Sequence, residues 1–169
     1  MTLTSTEAAK VLRKLNDDYS ALLEKEVKSR EFCAAVGEDP ESVRPDYDYR
    51  KVQSQLEELA LKIRKLKHAI NLFNTTQVVP GFDMTIDEML VYIPQLSKAQ
   101  TKLGNMRLKL PKARVENQFR TSTNIIDYTY INYDLEEVET DYTKVCNERA
   151  NAQLALDKVN NSVKFEVEL

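Results

Sequence analysis

Apolar residues recur every three or four positions along four stretches of this chain, the spacing of an amphipathic helix. The first stripe is Ala8, Leu12, Leu15, Tyr19 and Leu22, drifting on through Leu23, Val27 and Ala34. Thr4 and Glu7 precede it with the spacing of a capping box, in which side chain and backbone satisfy each other's orphan donors. Gly37 to Pro40 closes it, so a helix over about 5–35 is predicted. After a polar linker, Gly37 to Pro45, the second stripe runs Val52, Leu56, Leu59, Ile63, Leu66, Ile70, Phe73 with no polar interruption, giving a helix over about 46–74. Asn74 to Gly81 breaks it, and Pro80 confines Val78 and Val79 to a sheet edge or a loop. The third stripe is Ile86, Met89, Ile93, Leu96, Gln100, Leu103, Arg107 and Leu110, opened by a second capping box at Thr85 and Glu88, for a helix over about 85–110. Pro94 inside it removes a ladder bond and predicts a kink or a displaced start. Asp134 and Glu137 have the same capping spacing. They open the fourth stripe, Leu135, Val138, Tyr142, Val145, Arg149, Ala152, Leu156, Val159, over about 134–161.

Two segments in the C-terminal third change period. Ile125 to Tyr133 is rich in β-branched and aromatic residues, and Val163 to Leu169 alternates apolar and charged positions. Strands over about 124–132 and 163–169 follow. The polar, basic run between, Lys112 to Thr123, reads as a surface loop. The predicted fold is mainly α, one domain over 1–169: four long amphipathic helices in a bundle or antiparallel coiled coil, with two short β-strands. Helices of roughly 25–29 residues reach about 40 Å, too long to let two short strands at opposite ends of one helix pair simply. Either they pair with an offset or one pairs with a neighbouring subunit; because a lone edge strand seeks a partner, a homo-oligomer is predicted.

Composition narrows the function classes. The 169 residues are 42% hydrophobic and 30% charged, with 3 glycines and 5 prolines, as in an ordered chain of long elements. A net charge of −3 argues against a general nucleic-acid binder, which needs a basic face to displace counterions. No apolar run approaches the roughly 20 residues that span a bilayer, so no membrane role is expected. Met1 to Lys10 lacks the pattern of a signal peptide. Cys33 and Cys146 lie far apart without metal spacing and read as free thiols, so a cytoplasmic location is expected.

Candidate chemistry is sparse. The lone histidine, His68, lies opposite the core stripe of the second helix. It has neither the paired Glu-x-x-His of a di-metal bundle nor a second ligand for zinc. No glycine-rich phosphate loop exists. Expected metals and cofactors are therefore none, and no catalytic residue is assigned. Three groups remain. Glu26, Gln100, Arg107 and Arg149 fall at seam positions, where they either form a buried polar layer that fixes register or lie at solvent edges of the seam. Lys62, Arg64, Lys65 and Lys67 make a basic helix face, which reads either as solvated helix surface or as a contact for phosphates or an acidic partner. Asn71, Asn74 and Thr75, with Asp87 and Glu88, would meet at one bundle end, where helix N-terminal amides could receive an anion. Tyr128, Tyr130 and Tyr133 are strand packing or, alternatively, stacking platforms.

Three segments carry a resemblance: 69–76 (Ala-Ile-Asn-Leu-Phe-Asn-Thr-Thr), 84–90 (Met-Thr-Ile-Asp-Glu-Met-Leu), and the tyrosine-rich strand with the helix ending at 155–160 (Ala-Leu-Asp-Lys-Val-Asn). Across Leu56 to Leu169 the chain resembles the septicolysin-like family of small bacterial helical proteins. Where members of that family tend to carry Arg-Asp in the third helix, this chain has Ile93-Pro94, so no role of that pair carries over. The resemblance implies a bacterial, largely uncharacterised helical protein. The leading expectation is a non-enzymatic, oligomeric helical-bundle protein acting through protein–protein contacts. The alternatives are a nucleic-acid-associated factor using the basic face, and an enzyme with a carboxylate-based site at the bundle end.

Overall fold

The computed structural model describes residues 1–115 and 127–169. It is mainly helical, as predicted, with the elements β1 (Thr2–Thr4), α1 (Ser5–Ser29), α2 (Pro40–Val43), α3 (Tyr49–Thr76), β2 (Val78–Val79), β3 (Met84–Thr85), α4 (Ile86–Arg107), β4 (Lys112–Arg114), β5 (Tyr128–Tyr130), α5 (Leu135–Ser162) and β6 (Lys164–Glu166). Helix starts follow local chemistry. Thr4 and Thr85 each form the full capping box, with Glu7 and Glu88 reaching back to the cap amides. Asp134 accepts from the Glu136 and Glu137 amides, but no return bond from Glu137 forms, so this third box is half made. Helix ends depart more from expectation. The first helix stops at Ser29 rather than near 35, and the linker beyond it holds the one-turn α2, capped by Asp39. The third long helix stops at Arg107, leaving Leu108 and Leu110 largely exposed. It begins where its capping box places it and continues past Pro94 without a break, so its start is not displaced.

The long helices pair two by two. α1 lies antiparallel to α3 and α4 antiparallel to α5: Ala8 packs near Leu66 while Glu26 meets Gln53, and Ile86 packs near Val159 while Arg107 meets Glu139. The two hairpins join at one end, around the start of α1, the end of α3, the start of α4 and the end of α5. Most of the core is there. One cluster gathers Phe73, Val79, Ile86, Met89, Leu96, Ala152, Leu156 and Val159. A second gathers Ala8, Leu66 and Val167. Phe165 packs against both clusters. Away from this base each hairpin is a two-helix arm. Leu56 in one arm and Val138 in the other are buried, yet neither belongs to a larger cluster. A pair of helices can bury only one narrow stripe of each.

The strands correct the expectation of unpaired edges. β6 pairs antiparallel with β1, in the register Thr2↔Glu166, Leu3↔Phe165 and Thr4↔Lys164. β5 pairs antiparallel with β4, Lys112↔Tyr130 through Arg114↔Tyr128. The start of the basic run predicted as loop is thus a strand. Of the strand expected over 124–132, residues 124–126 lie outside the described residues, and the described part is paired over Tyr128–Tyr130. A third two-stranded unit, β2 with β3, is closed by a turn in which Phe82 N–H donates to the Val79 carbonyl. Pro80 and Gly81 hold its two central positions, Gly81 at φ 91°, the pairing that a type II turn requires. Among the described residues each strand therefore finds its partner inside the chain, and these strands give no argument for an oligomer. Among the described residues no helix is long and apolar enough to cross a membrane.

Candidate functional site

The seam polar residues do not form one layer. Glu26 sits far out on the first arm, where its carboxylate accepts from the Tyr47 hydroxyl at 2.9 Å and from Gln53 Nε2 at 2.8 Å. Burial and this bond to Glu26 push the Tyr47 hydroxyl above its usual pKa. On the second arm, Arg149 Nη1 donates to Gln100 Oε1 at 2.6 Å, and Gln100 Nε2 reaches Cys146 Sγ at 3.2 Å. Nearer the tip, Arg107 pairs with Glu139 at 2.9 Å and lies 4.4 Å from the Tyr142 ring centroid. Tyr92 donates to Glu148, and that bond raises the Tyr92 pKa. Glu26 and Gln100 are half-buried, while Arg107 and Arg149 are exposed. These groups stitch the two helices of one arm together along the solvent edge of the seam.

The basic face is on the outside of α3. Lys62 is committed to Glu58 at 2.5 Å, and Arg64, Lys65 and Lys67 are exposed. The expected bundle-end site is not assembled either. Thr75 Oγ1 donates back to the Asn71 and Leu72 carbonyls within its own helix. Asn71 and Asp87 face solvent. The Glu88 carboxylate is engaged by the Thr85 N–H, which holds its pKa below the usual value. A carboxylate already holding a helix cap is poorly placed for acid–base chemistry. Of that group, Asn74 lines a cavity at the junction of the hairpins. Tyr128 and Tyr130 are exposed beside Lys112, whose Nζ is 4.1 Å and 5.5 Å from their ring centroids. Tyr133 instead donates to the Met106 carbonyl at 2.9 Å, tying down the end of α4.

One concave site is not among those that the sequence pattern points to. Where the two hairpins meet, a cleft of about 520 Å³ is lined by all four long helices. α1 supplies Ser5, Thr6, Ala9, Lys10 and Arg13. Ile70 and Asn74 come from α3, Ile86 and Leu90 from α4, and Asn160 from α5. Thr6 Oγ1 fastens α1 to the end of α5, at 2.8 Å from Asn161 Oδ1 and 3.2 Å from the Asn160 carbonyl oxygen. Ser5 Oγ is buried without a hydrogen-bond partner. Lys10 and Arg13, three residues apart, share one face of α1; that spacing, beside Asn74, was the available signal. No group of three or more His, Cys, Asp or Glu side chains among the described residues could hold a metal ion.

No family model and no curated protein matches the chain. In fold it is similar to a functionally unknown conserved protein from Corynebacterium diphtheriae whose crystal structure is known: TM-score 0.58 at 19% identity, covering 98% of this chain and 100% of that one. At that identity the likeness concerns the fold alone, which extends over both hairpins.

Proposed function

We propose that this protein is a non-enzymatic helical component that self-associates and works through protein–protein contacts. The carrying observation is its surface. The chain exposes 12,835 Å², against the about 8,500 Å² that a compact monomer of its mass presents. The excess is larger than the about 800 Å² that each partner gives to a stable interface. Val27 and Leu61 on the first hairpin, and Val91 and Leu154 beside the base of the second, stand open to solvent. Burying such apolar side chains is the usual driving force for association.

The reading keeps the cytoplasm as its compartment, supported by the free thiols Cys33 and Cys146. It also keeps the septicolysin-like resemblance, which rests on the short motifs alone. Multi-angle light scattering of the purified protein at micromolar concentration tests the central claim. A mass at a multiple of 19.5 kDa is the expected result. A strictly monomeric mass would sink the self-association.

A further inference from the structure

The cleft at the junction of the hairpins has the composition of a ligand site rather than of a packing defect. Its floor is apolar, from Ala9, Ile70, Ile86 and Leu90. Its polar side is uniformly suited to negative charge: Lys10 and Arg13 are cations, Asn74 and Asn160 offer amide donors, and no carboxylate is among its lining residues. Among the described residues no ion pair within 4.0 Å involves Lys10 or Arg13, though Lys10 is near enough to Glu7 to favour its charged form. Two exposed cations beside an apolar surface are the groups that an anionic head and a hydrocarbon body would each satisfy.

Ser5, in the first turn of α1, also lines the cleft, with its Oγ itself buried away from the opening. The volume, about 520 Å³, lies within the range of sites that enclose small organic molecules.

We infer that this cleft binds a small amphipathic anion, a monocarboxylate with a short aliphatic body, with Lys10 and Arg13 holding the head and Ile70, Ile86 and Leu90 covering the chain. A ligand seated there touches all four long helices, so its binding also fixes one hairpin against the other.

Titration of the full-length protein with octanoate, followed by amide NMR, tests the site. Saturable shifts centred on Ser5, Thr6, Lys10, Asn74 and Asn160 are expected, with octanol and acetate each at least tenfold weaker. Arg13→Gln, at an exposed position, should weaken octanoate at least tenfold. Ala9→Trp, which fills the cleft and keeps both cations, should abolish the shifts. The inference is overturned if no saturable shift occurs at these residues, if octanol binds as well as octanoate, or if both variants bind like the parent protein. Shifts confined to the apolar residues of the arms would equally overturn it.

Discussion

Phe165 stacks on Phe73 with ring centroids 4.6 Å apart and planes 21° from parallel. The two rings come from opposite ends of the fold's logic: Phe73 closes the last turns of α3, while Phe165 is the central residue of β6, opposite Leu3 of β1. Phe165 also packs against both core clusters, so it joins the hairpins at their base. Phe165→Ala is expected to cost about 2–3 kcal/mol, at the low end for an aromatic truncation because Phe165 is half-buried. Phe165→Leu keeps most of the apolar volume and should cost about 1 kcal/mol, the part owed to ring stacking. Urea denaturation of both variants measures the difference. A Phe165→Leu variant as stable as the parent would mean that the stack itself contributes nothing.

Arg149 illustrates a polar seam residue that contributes little. Its bond to Gln100 is short, but its side chain is exposed, and exposed polar contacts of this kind are worth well under 1 kcal/mol. Arg149→Leu should therefore fold normally and change stability by no more than about 0.5 kcal/mol, with a melting shift of roughly 2 °C or less. Gln100→Leu, at a half-buried position, removes the donor to Cys146 Sγ and also loses little, because sulfur is a weak acceptor. Calorimetry of the two single variants checks both statements. A loss of folding in Arg149→Leu would reveal a role that its geometry does not explain.

What could be read in advance was local. Thr4 with Glu7 and Thr85 with Glu88 act across three residues, and both boxes form as their spacing requires. The helix stripes were legible for the same reason, each being a repeat within one element. Pairings across the chain were not. Thr2–Thr4 is three residues long, too short to show a period, and its partner lies more than 150 residues away. Lys112–Arg114 looked like a solvated basic run, since nothing in a Lys-Ala-Arg triplet announces that Tyr128–Tyr130 lies beside it. The junction cleft was the least legible feature. It takes residues from four helices, and Lys10 and Arg13 have the same local pattern as any solvated helix face. Only Asn74 had been marked, and with neighbours that turn out to serve their own helices.

The two complete capping boxes make stability depend on acid. The Thr4 N–H and hydroxyl hold the Glu7 carboxyl below its usual 4.5, and the Thr85 N–H and hydroxyl do the same for Glu88. A carboxylate whose folded pKa is depressed contributes stability in full above its unfolded value and loses it as pH falls through the folded one. These contributions should therefore be intact above pH 4.5 and fade below it. Melting curves between neutral pH and about pH 3 will show the decline. In the double variant Glu7→Gln, Glu88→Gln the amides cannot titrate, so the fall below pH 4.5 should be shallower. An unchanged slope would assign the acid sensitivity to other carboxylates. At neutral pH, Thr85→Ala removes the reciprocal half of one box and should cost about 1 kcal/mol, or roughly 2–4 °C.

Gly104 offers a test of how tightly the second arm is packed near its tip. It lies within α4 with ordinary helical backbone, where glycine is less favourable than alanine by about 1 kcal/mol. A Cβ built there meets Tyr142 Cε2 at 3.4 Å, an acceptable contact with a ring that can shift slightly. Gly104→Ala should thus raise the melting temperature by roughly 2–4 °C, the helix preference outweighing the contact. Gly104→Leu reverses the sign. The longer side chain must displace the Tyr142 ring, which carries the Arg107 guanidinium on its face, and Arg107 in turn holds Glu139. Overpacking of that kind costs about 1–3 kcal/mol. Thermal melts of the two variants decide between a close-packed arm and a loose one. If leucine is tolerated as well as alanine, the helices of this arm have room to part, and Tyr142 is a surface ring rather than a spacer between them.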